Sequence, residues 1–139
     1  MNKIFPRFVD GSPAWGLLVL RLVFGAALIM HSLPKIQNPI HWMDKMPNAA
    51  PHILQVAAAG FEFGGGIALM LGLITPLVAL VGLIHFFTVY WMGHRGAQWI
   101  GGKHSAEIPS LYFTLMLALL LTGPGRISID AILFGRKKR

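Results

Sequence analysis

Cysteine is absent from the 139-residue chain. Disulfide exchange, thiolate nucleophiles, iron–sulfur clusters and cysteine-based zinc sites are thereby excluded as chemistry of its own side chains. Charge is scarce as well. Only 12% of the residues are Asp, Glu, Lys or Arg, about half the share in an ordinary soluble domain. The chain has no Gly-x-Ser-x-Gly elbow, phosphate-binding glycine loop or catalytic carboxylate pair, so no nucleophile–base–oxyanion set is spelled out. A secretory leader is not indicated, because the first apolar run continues into HSLPKIQ without a small-residue cleavage site.

Hydrophobic side chains make up 55% of the sequence, and its mean hydropathy is +0.62. A short chain this apolar cannot cover itself with polar surface, so lipid is the expected solvent. A bilayer core of about 30 Å needs about 20 apolar helical residues, with a range near 17–25. Four stretches approach that length, at residues 13–33, 52–73, 76–93 and 108–123. The first opens with Ser12 as N-cap and Pro13 at the first helical position. The last ends at GPG. The expectation is an all-α fold over 1–139, a single transmembrane four-helix bundle of antiparallel up-down spans.

The net charge is +7. No basic stripe interleaves with aromatics in a polar segment, so nucleic acid is not an expected partner, and the bilayer is. An even number of spans puts both termini on one side. Lys3, Arg7, Arg126, Arg136, Lys137, Lys138 and Arg139 lie there, against Lys35, Lys45, Arg95 and Lys103 opposite. Seven against four predicts cytoplasmic termini in a multi-pass plasma-membrane protein. Trp15, Tyr90, Trp91 and Tyr112 fall near span ends, as an interfacial belt would. The tail ISIDAILFGRKKR alternates apolar and polar residues before a basic cluster and reads as a short interfacial segment.

Glu62 stands among small apolar residues in AAAGFEFGGGIALMLGL. Counting about 1.5 Å per residue puts it about 16 Å from the cytoplasmic end, with His85 about 14 Å and Arg21 about 10 Å deep. An acid, a guanidinium and an imidazole are thus predicted in one intramembrane layer on three helices. Burying an unpaired charge there costs about 2.5–3.5 kcal/mol. Glu62 should therefore face inward, and Arg21 should find a partner or reach for the headgroups. Gly60, Gly64, Ala68 and Gly72 form a small-residue stripe expected to admit another helix. Ala58, Ala59, Gly65 and Gly66 leave space beside Glu62 for a pocket.

The remaining histidines lie at or beyond the outer span ends and form no His-x-x-x-His pattern. His104 and Glu107 are three apart, His31 and Lys35 one turn apart. Capping and solvation account for the first pair, and the second reads as an interfacial anchor or, alternatively, as the outer-face contact for an anionic or quinone-like headgroup; no metal site is predicted. His31 and His85 differ in depth by about 9 Å, which argues against bis-histidine haem.

Three stretches together resemble the DoxX family of small four-helix membrane proteins: LRLVFGAALIMHSLPKI from Leu20, EFGGGIALMLGLITPLVAL from Glu62 and GPGRISIDAIL from Gly123. Ser32 departs from a common Gly and Pro76 from a common Arg. By position Arg21, His31, Lys35, Glu62, Glu107, Arg126 and Asp130 match the motifs. The resemblance implies a plasma-membrane protein associated with thiosulfate:quinone oxidoreduction or thiol-stress complexes, with no catalytic assignment for these residues. The functional expectation is an accessory subunit of a membrane redox system. A quinone-like ligand would sit between its helices, with redox proteins or further copies as partners. A non-catalytic membrane anchor and a small proton-coupled transporter are the alternatives.

Overall fold

In hydrocarbon every backbone N–H and C=O must find a partner within the protein, and a helix supplies it within one segment. The computed structural model, which describes residues 8–46, 49–101 and 105–135, has only helices as regular structure among those residues. Helix α1 spans Ser12–Ile36, α2 His52–Leu71 and α3 Thr75–Val89, which continues as a π-helical turn, Tyr90–His94. Helix α4 spans Glu107–Thr122 and the short α5 Ile129–Phe134. Three of these segments, Ser12–Ile36, His52–Leu71 and Thr75–His94, are long and apolar enough to cross a membrane. Helix α4, with 16 residues, would span about 24 Å.

The ends differ from expectation in ways the local chemistry explains. Gly11, not Ser12, holds the cap position of α1. The helix does not stop at Leu33 but runs through Pro34 to Ile36. Pro34 cannot donate to the Met30 carbonyl and disfavours the helical conformation at Leu33, yet only two helical residues follow it. Helix α2 stops at Leu71 because Gly72 turns left-handed at φ 63. The Gly72 and Leu73 amides donate back to the Leu69 and Ala68 carbonyls at 3.0 and 2.9 Å, a glycine C-cap.

Helix α1 packs along α2, and α3 along α4. The first pair touches backbone to backbone: a Cβ on Gly66 would lie 2.8 Å from the Gly25 carbonyl oxygen, and one on Gly25 would lie 2.6 Å from that of Gly66. The small-residue stripe at Gly60 and Gly64 does not serve this contact, since a Cβ at either position meets only open space. Periodicity of four could not tell the stripe from the adjacent face that holds Gly66. Between the pairs lies a core of Leu28, Leu69, Ala79, Phe86, Tyr112, Met116 and Leu119. The outer surface is apolar too, with Val23, Ile84 and Leu121 each more than half exposed. Apolar residues both inside and out are what a helix surrounded by acyl chains presents.

Candidate functional site

Glu62 lies near the middle of α2 and is 5% exposed. The Lys35 Nζ donates to both carboxylate oxygens, at 2.6 and 2.5 Å. His85 of α3 brings Nε2 to 3.2 Å from Glu62 Oε1. Three helices therefore meet at one acid. Lys35 reaches it because α1 continues past Pro34 and because Cα–Cβ bonds tilt towards the helix start, aiming this side chain back along α1. Its ammonium also sits 4.6 Å from the centroid of the Trp42 ring, a cation–π contact. The His85 ring lies between Phe61 and Phe86, at centroid distances of 5.1 and 4.9 Å. Phe86 stacks on Tyr112 at 4.7 Å. An ion pair and an imidazole thus sit in an aromatic setting, where low polarity strengthens each hydrogen bond.

Arg21 does not join this layer. It is fully buried and donates through Nη1 to the Leu69 carbonyl at 3.2 Å and through Nη2 to the Ile127 carbonyl. Its Cα lies at the expected turn of α1, but the long side chain leans towards the start of the helix. The guanidinium therefore lands beside the end of α2. Asp130, also fully buried, accepts from the Ile74 and Thr75 amides at 2.7 and 2.8 Å. Its own amide donates to the Gly72 carbonyl at 2.9 Å. Asp130 thereby caps α3 from a distance, across a turn in which Ile74 holds the left-handed φ of 46. Any side chain at Gly72 would collide with Arg21 and Ser128. Arg21, Gly72 and Asp130 form one architectural clasp.

The other predicted residues scatter. His31 is exposed on α1. Glu107 sits in the first turn of α4 and lines a shallow groove with Trp99, Ile100 and Ser110. His104 and the basic end of the tail lie outside the described residues. Arg126 Nη1 lies 2.5 Å from Asp10 Oδ2 on the surface. The alternating tail is a six-residue helix capped by Ser128, with Ile132, Leu133 and Phe134 exposed. Tyr112 is a core aromatic rather than part of an interfacial belt, because α4 turns it onto Phe86 and Phe24. The space expected beside Glu62 is filled. The Phe61 ring covers Gly65, and α1 presses on Gly66.

Gln55 has no forewarning in the sequence. It is 1% exposed and organises the connector between α1 and α2. Its Nε2 donates to Asp44 Oδ1 and the Ala50 carbonyl, both at 2.9 Å. Its Oε1 accepts from the Met43 amide at 3.0 Å, and its carbonyl accepts from the Trp42 indole at 3.1 Å. The connector is thereby folded over the Lys35 end of the cluster. The Asp44 carboxyl is held below its usual value by the hydrogen bond from Gln55 and then by that with His41.

A family model, DoxX, matches residues 16–95, more than half of the chain. The chain belongs to the DoxX family. No curated protein and no solved structure matches it. The matched residues of this DoxX protein include Arg21, Lys35, Glu62 and His85, whereas Asp130 and α4 lie beyond them. With its apolar helices, this DoxX protein is membrane-embedded and contacts the lipid bilayer.

Proposed function

We propose that this protein binds the polar head of a quinone-like amphiphile at Lys35, Glu62 and His85 and acts as an accessory subunit of a membrane redox system. The observation that carries the reading is the buried acid with an ammonium and an imidazole on either side, each from a different helix. Quinone oxygens accept hydrogen bonds and take up protons on reduction. Lys35 and His85 supply donors for the first, and Glu62 with His85 a path for the second. The Lys35 side chain is the most exposed of the three, so a ligand head reaches the cluster from its side, with Lys35 turning from Glu62 to meet it. The test is to purify the full chain in mild detergent and identify the lipophiles retained. Quinone is expected with wild type and at least tenfold less with Glu62→Gln; a quinone-free wild type overturns the reading.

The same proposal sets four helices antiparallel across the plasma membrane, with both termini cytoplasmic. Lys35 and the connector then face the opposite compartment. The surplus of basic residues on the terminal side supports this orientation. Because no native cysteine interferes, single cysteines at Asn38 and Gly135 can be labelled in intact cells. Impermeant thiol reagents should reach the first and not the second.

A second reading, a membrane anchor in which the cluster is only a clasp, is favoured by one feature: both Glu62 oxygens already have partners. It is distinguished by Glu62→Gln lowering stability while leaving the retained lipophiles unchanged.

A further inference from the structure

We propose that His41, Asp44 and His52 form a binding site for a divalent transition-metal cation of the zinc and copper class. The site belongs to the connector between α1 and α2, and it is independent of any ligand at Glu62. One ligand atom from each of the three residues lies within 4.8 Å of the others. The Asp44 carboxylate sits between two imidazoles, with Oδ2 2.6 Å from His41 Nδ1 and Oδ1 3.5 Å from His52 Nε2. The rings are edge to face at a centroid distance of 4.8 Å. Tetrahedral zinc with ligands at about 2.0–2.2 Å sets neighbouring ligand atoms about 3.3 Å apart. Reaching that spacing asks the widest pair to close by at most about 1.5 Å, shared between exposed side chains.

The donor set selects the ion. Two nitrogens and one carboxylate suit zinc or copper(II), whereas calcium and magnesium prefer oxygen throughout. All three residues are exposed, so water completes the coordination. On binding, His41 ligates through the Nδ1 that now faces Asp44 Oδ2, so its one proton sits on Nε2 and the imidazole stays neutral. The carboxylate is also oriented from behind. Its Oδ1 accepts from Gln55 Nε2 at 2.9 Å, and Gln55 is buried and fixed by three further hydrogen bonds to the connector. Outer partners of this kind hold metal-ligating carboxylates in place.

Spacing along the chain hides the site. His41 and Asp44 are three apart in a turn, but His52 is the first residue of α2, and only the connector's fold brings it alongside. A bound ion would tie that connector to α2 next to Trp42, whose ring carries the Lys35 ammonium.

The test uses the full chain in detergent, stripped with chelator and dialysed against Zn²⁺, with bound metal measured by mass spectrometry. One Zn²⁺ per chain is expected. Binding should be at least tenfold weaker in His52→Ala and in Asp44→Asn, with unchanged helix content, and unaltered in His31→Ala. Cu²⁺ bound to wild type should give an electron paramagnetic resonance spectrum with coupling to two imidazole nitrogens, reduced to one in His52→Ala. Wild type that holds no more Zn²⁺ than the His41→Ala/His52→Ala double variant overturns the proposal. So does His31→Ala weakening binding as much as His52→Ala.

Discussion

Buried charge occurs twice along the α1–α2 pair, and the two places handle it differently. Arg21 and Asp130 spend their hydrogen bonds on backbone atoms, the carbonyls that end α2 and the amides that begin α3. Helix ends leave those groups without partners, so each ion fills a need that the fold itself creates. Glu62 instead meets only side chains, Lys35 and His85. Backbone partners cannot swing aside or exchange a proton; side chains do both. The contrast sets an architectural clasp apart from a cluster of side chains, which is what the proposed ligand reading requires.

The sharpest way to break that distinction is Arg21→Met, which leaves carbonyls and the nearby carboxylate uncompensated. It should cost about 3–5 kcal/mol, read as a lowered unfolding midpoint in mixed micelles, with Arg21→Lys restoring only part because it lacks the guanidinium fork. Next comes Asp130→Asn, which can serve one of the two amides. A loss of about 1–3 kcal/mol is expected by the same measurement, and a loss larger than that of Arg21→Met would reverse their ranking. Gly66→Ala should cost about 1–3 kcal/mol through overpacking against α1. Gly64→Ala, two residues away and open to lipid, should stay within about 0.5 kcal/mol. Equal effects would mean that helix packing is misassigned. Smallest of all, Asp10→Asn removes an exposed ion pair with Arg126 and should change stability by less than about 1 kcal/mol.

Much of the helical layout was legible because apolar runs of bilayer length leave the backbone few alternatives. Glu62 was legible as an inward-facing group for the same reason: an acid among Gly and Ala has to avoid acyl chains. Its main partner was not. Lys35 lies beyond the first span as counted to Leu33, whereas the helix continues through Pro34 to Ile36 and carries Lys35 in its last turn. A depth counted from Cα positions puts Arg21 in the layer of Glu62, while its side chain carries the charge several ångströms towards the helix start, where it finds carbonyl partners. Gln55 left no trace, since one amide in an apolar stretch acquires meaning only when a connector folds onto it. His41, Asp44 and His52 were invisible as a set for that reason too.

The arrangement at Ile74 bears on the order in which the protein matures. The amides that start α3 donate to a carboxylate 55 and 56 residues further along the chain. While the ribosome is still making the intervening segment, the α2–α3 tip keeps its unfavourable left-handed residue without that support. The cap on α3 can therefore form only after Asp130 has been made, whereas the close contact of α1 with α2 at Gly25 and Gly66 draws on nothing beyond α2.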